Sequence, residues 1–403
     1  MGTTKNLLEI QKFLKGFQNI EMAISHLKLS YDIEVTKDFI LSTNGTTMFP
    51  VWLFNYDILK ARGDCTIENE ARGLILDQNA DIVSMSFKRF FNSHEQYVAK
   101  LDWDLARAEF KHDGTLVVLY EYKGNFYIQT RRKATANVSI QSTNGLTYSN
   151  AVINVLKEKF KDPFRPFRNH NIDECFCWAF EFVAPFNRIV TPYDKPDLYL
   201  LSIFNKTEIK EMPTLYSDDF AREYRISRPN SIFVEEIEEI LEAFPEIDPL
   251  EEGFVVVDRN FNRMKVKNPS YLSISRTVNA GSRVVPRHFA EIVLKGDAKE
   301  IISYYPEYRE VLELMDNILS DMIEEVTTLW WINSGIDSQK EFAEAVKSHP
   351  LNHLLFMLRK GKITTIHEGL RKISPDILIN ETSKRSNGKI TKLMNKLWHV
   401  SEE

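Results

Sequence analysis

Cysteine is scarce in this chain: Cys65, Cys175 and Cys177 are the only 3 among 403 residues. Three are too few for a disulfide framework or a four-cysteine zinc site. No Cys-x-x-Cys or His-Glu-x-x-His spacing supports a mixed site with the histidines, so the cysteines read as reduced thiols. A Gly-x-x-x-x-Gly-Lys-Ser/Thr loop is also missing, which excludes P-loop capture of a nucleoside triphosphate. No apolar run approaches the length of a membrane span, and Met1-Gly2-Thr3-Thr4-Lys5-Asn6 lacks the apolar core of a signal peptide. Asn6 stands where a myristoylated chain needs Ser or Thr. A cytoplasmic protein without a membrane partner is expected. Excess positive charge is absent too: the net charge is -6, so any nucleic-acid contact must use local basic patches.

What is present is an ordinary globular composition, 43% hydrophobic and 27% charged, in a chain long enough for two or three domains. The stretch to about Leu29 has helical spacing. From Val35 to about Lys267 the pattern changes to short alternating runs, joined by turn clusters such as Gln78-Asn79-Ala80-Asp81, Lys123-Gly124-Asn125 and Arg259-Asn260-Phe261-Asn262. Strands and helices do not alternate, which excludes a doubly wound parallel sheet. After about Val285, Val311, Leu312, Met315, Leu319, Met322, Ile323 and Val326 form one apolar stripe that Gly335 ends. Ser338-Gln339-Lys340-Glu341 reads as a capping box and Ser374-Pro375 as another helix start. The expected class is α+β: an antiparallel β-rich domain over 1–285 followed by an all-α domain over 286–403.

Five segments carry the chemistry. Glu70-Ala71-Arg72-Gly73 precedes a strand, and Lys111-His112-Asp113-Gly114 opens another. Phe180-Glu181-Phe182 lies within a third. Glu252-Gly253-Phe254-Val255 starts the last hairpin, which Met264-Lys265-Val266-Lys267 ends. A lysine becomes a nucleophile only when neutral, against an ordinary pKa of about 10.4. One residue separates Lys265 from Lys267, so both fall on one face of their strand. From there they can depress the Lys111 pKa and neutralise a triphosphate. The same alternation puts Cys175, Cys177, Ala179 and Glu181 opposite Phe176, Trp178, Phe180 and Phe182. The small-residue face thereby leaves room beside Glu181, and Glu252 is a second carboxylate able to hold Mg²⁺.

In this order the segments resemble the motifs of the covalent nucleotidyltransferases, and most closely the RNA ligase 1 family typified by the phage T4 enzyme. Arg89-Phe90-Phe91-Asn92 and Phe180 to Val190 share in the resemblance, which covers roughly Val51 to Tyr271. It implies that Lys111 takes AMP from ATP, with Mg²⁺ (Mn²⁺ as substitute), then passes it to an RNA 5′-phosphate that a 3′-hydroxyl attacks. Glu252, Lys265 and Lys267 would act beside Lys111. Asp113, Gly114, Glu181, Arg72, Arg89, Arg131 and Tyr271 would contact the nucleotide or its phosphates, Leu201 and Val255 would sandwich the adenine, and Phe54 would stand where the family has a tyrosine, with Tyr56 as its substitute. His112 replaces an acidic neighbour of the nucleophile, and Arg89 and Arg131 replace lysines. Asp297 is a further metal candidate. The implied partner is RNA with 5′-phosphate and 3′-hydroxyl ends, cleaved tRNA among them, handled by a monomer. DNA ligases and capping guanylyltransferases share the core motifs but usually continue into an OB domain, where this chain turns helical. Lys384, Arg385, Lys389, Lys392 and Lys396 make its tail basic. An RNA-binding relative without catalysis remains an alternative.

Overall fold

Short alternating runs between turn clusters become fourteen described strands, four of them only two or three residues long. The computed structural model describes residues 6–400 apart from 43, 44, 58, 141, 142, 171–173, 279–285, 297 and 305. In chain order the strands are β1 Ile33–Leu41, β2 Met48–Tyr56, β3 Arg72–Asp77, β4 Ile82–Ser84, β5 Phe91–Asn92, β6 Arg107–Phe110, β7 Thr115–Tyr122, β8 Asn125–Thr130, β9 Phe176–Val183, β10 Asp197–Asn205, β11 Lys210–Glu211, β12 Ser231–Phe233, β13 Gly253–Val257 and β14 Arg263–Lys267. They form three sheets, ordered β1-β2-β3-β4, β11-β10-β9-β7-β8 and β12-β6-β13-β14-β5. Every pairing is antiparallel except β14 with β5. The chain is thus α+β with antiparallel sheets, as its patterning predicts.

The second sheet is apolar on both faces because both are covered. Val118, Tyr120, Cys177 and Ala179 pack towards the first sheet and the N-terminal helices. Val117, Leu119, Trp178, Phe180 and Phe182 pack under the helices Tyr148–Lys159, Arg165–His170 and Thr214–Tyr224. Cys177 and Ala179 therefore face core, and the open room expected on that strand face begins only at Glu181. A third cluster, with Ala108, Phe254, Val256 and Met264, backs the third sheet.

The chain divides into two compact units, Met1–Leu272 and Ser273–Glu403. In the second, the helix Arg309–Asn333 buries Val311, Leu312, Met315, Ile318, Leu319, Met322 and Val326. Ser338 caps the helix Gln339–Val346, and Ser374 caps Pro375–Arg385. Among the described residues no helix is long and apolar enough to cross a membrane.

Candidate functional site

Lys111 occupies the link from β6 in the third sheet to β7 in the second, so its loop is clamped from both sides. Its amide donates to the Gly253 carbonyl at 2.8 Å. The Asp113 carboxylate accepts the amides of Val190 and Thr191 at 2.7 and 3.0 Å, and the Asp113 amide donates to the Tyr193 hydroxyl at 2.9 Å. At Gly114 an added Cβ would lie 2.4 Å from the Phe182 carbonyl oxygen, so only glycine lets the loop pass this close to β9. Asp113 and Gly114 were expected to contact the nucleotide. Neither lines the pocket; they fix the lysine's backbone.

The charged end of the pocket gathers Lys111, Glu181, Glu252, Lys265, Lys267 and Arg72. The Lys111 ammonium lies 2.6 Å from one Glu252 oxygen, and Lys267 lies 2.7 Å from the other. Burial alone would lower the Lys111 pKa, but Glu252, Glu181 and Asp113 outweigh it and the net shift is upward. Burial would likewise raise Glu252, yet Lys111 and Lys267 hold it below the usual carboxylate range. This corrects the expected lysine-driven depression of Lys111: Lys267 directs its charge onto Glu252, leaving Lys111 in a salt bridge. The depressed amine is Lys265, brought to about 8 by burial, with Arg72, Lys111 and Lys267 adding repulsion. Burial, opposed by Lys111 and aided by Glu252, raises Glu181 to about 7.

Arg72 owes its place to an irregularity. Register slips between Phe54 and Asn55 of β2, and Gly73 opposite takes φ +72°, a left-handed conformation suited to glycine at a bulge. The Asn55 side chain seals the bulge, accepting the Gly73 amide at 3.1 Å and donating to the Arg131 carbonyl at 2.9 Å. Arg72 then lies over the Phe87 and Phe90 rings, 4.8 and 5.7 Å from their centroids. One terminal nitrogen, Nη1, is buried without a partner, and burial pulls the guanidinium pKa down to about 10. A buried donor of this kind calls for an acceptor, and a charged one bonds it most strongly.

At the apolar end, Leu116, Leu201, Pro229, Val255 and His112 complete a cavity of about 90 Å³. Ligand pockets usually span roughly 300–1,000 Å³, so this cavity by itself is smaller than a nucleotide site. Leu201 lies at a register slip between β9 and β10. Arg228 holds the slip open by donating to the Leu200 and Leu201 carbonyls at 2.6 and 2.9 Å while pairing with Glu109 and Asp218, each at 2.9 Å.

Arg89 and Arg131 flank Tyr56, their guanidinium carbons 4.3 and 4.5 Å from its ring centroid. Neither lines the small cavity; Arg89 borders a neighbouring cleft of about 510 Å³ that shares the walls Phe87, Phe90 and Arg263. Phe54 is fully buried in the core with no exposed surface and lines neither space, which corrects its expected place beside the nucleotide; Tyr56 meets the arginines instead. Tyr271 is 3% exposed, with the Lys267 amine 5.9 Å from its ring. Asp297 lies outside the described residues. Among those described, no group of three or more His, Cys, Asp or Glu could hold a metal ion. In the helical unit Lys384 and Arg385 are tied to Glu381 and Glu325, so these two basic tail residues already have acidic partners.

Arg263, Phe87, Phe90, Phe110 and Pro229 line the pocket but were not singled out as site residues. Arg263 carries a readable signal, since it shares the period-two face of Lys265 and Lys267. Bidentate pairing with Glu211 at 2.6 Å anchors it.

A sequence model of the RNA ligase family matches residues 70–271. A putative bifunctional polynucleotide kinase/RNA ligase of Autographa californica nuclear polyhedrosis virus is 26% identical over 354 residues, covering 83% of this chain and 49% of its own. An RNA ligase of Rhodothermus phage RM378 is 25% identical over 394 residues, covering 83% and 84%. The chain thus spans about half the length of the baculovirus relative. Among solved structures, an archaeal ATP-dependent RNA ligase is similar with a TM-score of 0.44 and 14% identity, over 72% of this chain and 69% of that one.

Proposed function

Since the chain belongs to the RNA ligase family, we propose that it seals RNA 5′-phosphate and 3′-hydroxyl ends by way of an AMP carried on Lys111. The observation that supports this most is the Lys111 amine 2.6 Å from Glu252, beside a wall of Arg72, Glu181 and Lys265 that runs on to Leu201 and Val255. A cationic, carboxylate-bearing end suits the phosphates and ribose of ATP. The apolar end suits its base.

In the first step the Lys111 nitrogen attacks the α-phosphorus. A P–N bond forms and the P–O bond to pyrophosphate breaks; of the two protons the ammonium must give up, one leaves to solvent before attack and the other passes from the attacking nitrogen to Glu252, the base within reach. Arg72, Lys265 and Lys267 stabilise the charge gathering on the leaving pyrophosphate. Glu181, near its titration midpoint at neutral pH, can hydrogen-bond the ribose in either protonation state. Mg²⁺ is commonly held by one or two carboxylates with substrate phosphates, a donor set that Glu252 and ATP can provide; it would supply further charge neutralisation. AMP next moves to the RNA 5′-phosphate, and the 3′-hydroxyl displaces it. Cleaved tRNA as the natural substrate, and action as a monomer, belong to this reading.

A sealing assay tests it. With ATP and Mg²⁺ the protein should join 5′-phosphorylated RNA, and Lys111→Ala should lose that joining while still sealing RNA supplied already adenylylated. Sealing of unactivated ends by the variant would overturn the assignment. Parallel DNA ends, and GTP in place of ATP, separate the DNA ligase and capping alternatives.

A further inference from the structure

His112 differs from every other polar side chain on the pocket wall. Arg72, Arg263, Lys111 and Lys265 are cationic groups, and Glu109 and Glu181 are carboxyl groups. Charged groups match phosphates and, for a carboxylate, ribose hydroxyls; the edge of a nucleobase offers neutral donors and acceptors, which a neutral partner matches best. His112 is that partner. Burial, with the Lys111 charge adding and Asp197 opposing, lowers its pKa to about 4, so the imidazole is neutral at physiological pH.

Its orientation is fixed as well. The ring stacks on Tyr199 with centroids 3.6 Å apart and planes inclined by 20°. Tyr193, which accepts the Asp113 amide, lies 6.4 Å away. One imidazole face is therefore committed to protein, and the ring's polar atoms point along its plane. There Nε2 is buried and has no hydrogen-bond partner. An unmet buried nitrogen is unfavourable unless something outside the chain satisfies it. Leu201 and Val255 line the same cavity. If they cover the two faces of a base, only its edges remain to be read.

We propose that His112 is a specificity-determining residue whose Nε2 hydrogen-bonds the edge of the purine base of the bound nucleotide. This rests on the pocket's being the nucleotide site, and it deepens that reading by naming the residue that recognises the base. A neutral imidazole carries one N–H and one lone pair, matching the donors and acceptors along a purine edge. The alternative is that His112 only supports the wall through its stack on Tyr199.

The test is equilibrium binding of ATP, GTP and purine riboside triphosphate, which lacks the exocyclic amine, to the full chain by calorimetry. Wild type is expected to prefer ATP. His112→Phe keeps a flat ring against Tyr199 and removes the nitrogens. It should weaken ATP about tenfold, the loss expected for one hydrogen bond, and bring the three ligands to similar affinities. His112→Asn, which restores a neutral donor and acceptor, should keep part of the preference and serves if the phenylalanine variant does not fold. Undiminished ATP affinity in His112→Phe, an equal loss for all three ligands, or a wild type without preference would each overturn the proposal. Covalent labelling with ATP is followed separately. Wild type that binds ATP selectively but never becomes labelled contradicts the lysyl-AMP reading and leaves the base-reading role of His112 standing.

Discussion

Lys111 rests as an ammonium because its nearest neighbour is a carboxylate, so the proposed attack requires it first to lose a proton. With its pKa raised chiefly by Glu252 against burial, single-turnover labelling should accelerate as pH climbs above neutrality. In Glu252→Gln the largest raising charge is gone while burial remains, and the rising limb should move to lower pH even as the maximal rate falls, by roughly 100-fold or more for a lost base. A limb that stays in place in this variant would show that another group governs the proton. Lys265 makes a different prediction. It is partly deprotonated near its pKa of about 8, and a triphosphate beside it favours the charged form. ATP binding at pH 8 should therefore take up protons, detectable as a dependence of calorimetric heat on buffer ionisation enthalpy. Lys265→Arg, charged throughout, should reduce that uptake to the part that Glu181 contributes. At this scale much of the site was legible: Glu181, Lys265 and Lys267 follow from a period of two, and Lys111 and Glu252 from motif order. Phe54 misleads because the bulge at Gly73 cannot be seen without the opposing strand, and the partnership of Lys111 with Glu252 spans 141 residues.

Among the elements, Gly253 and Arg228 help set the pocket's frame. Gly253 has φ +126°, and an added Cβ would sit 2.3 Å from the Val266 carbonyl oxygen. Gly253→Ala should destabilise the protein by at least about 1–3 kcal/mol, the cost of such backbone strain, and impair labelling, because the Gly253 carbonyl receives the Lys111 amide. A urea titration with a midpoint matching wild type would contradict this. Arg228 carries more, since Glu109 and Asp218 are largely enclosed partners with side chains 11% and 19% exposed. Arg228→Met leaves Glu109 without its partner, at about 3–5 kcal/mol for a broken buried pair, while Asp218 keeps Arg107 at 2.7 Å. Any folded fraction should bind ATP less tightly through displacement of Leu201. Hairpins such as β3–β4 and β7–β8 were readable from their turn residues. The Leu201 slip was not, because it depends on Arg228 arriving from a loop 27 residues downstream.

Over the whole molecule, the residues assembled around Lys111 belong to the first compact unit, and the second is helical. The sequence placed this division after residue 285, whereas the compact units meet at Leu272 and Ser273; a helix, Pro269–Val278, spans that point. Residues 1–285 expressed alone should take AMP onto Lys111 as well as the full chain does, while sealing of tRNA ends falls if the helical unit selects RNA. Equal tRNA sealing by both would remove that role. The class of this unit was legible from its apolar stripe and caps, but its service to RNA was not, since Lys384 and Arg385 turn out to be engaged with glutamates. The central claim is most directly tested by incubating the full chain with ATP and Mg²⁺ and mapping the adduct by peptide mass spectrometry. One AMP on Lys111, released by excess pyrophosphate, is the predicted result; a protein that binds ATP yet carries no AMP, or carries it on another residue, would contradict the account.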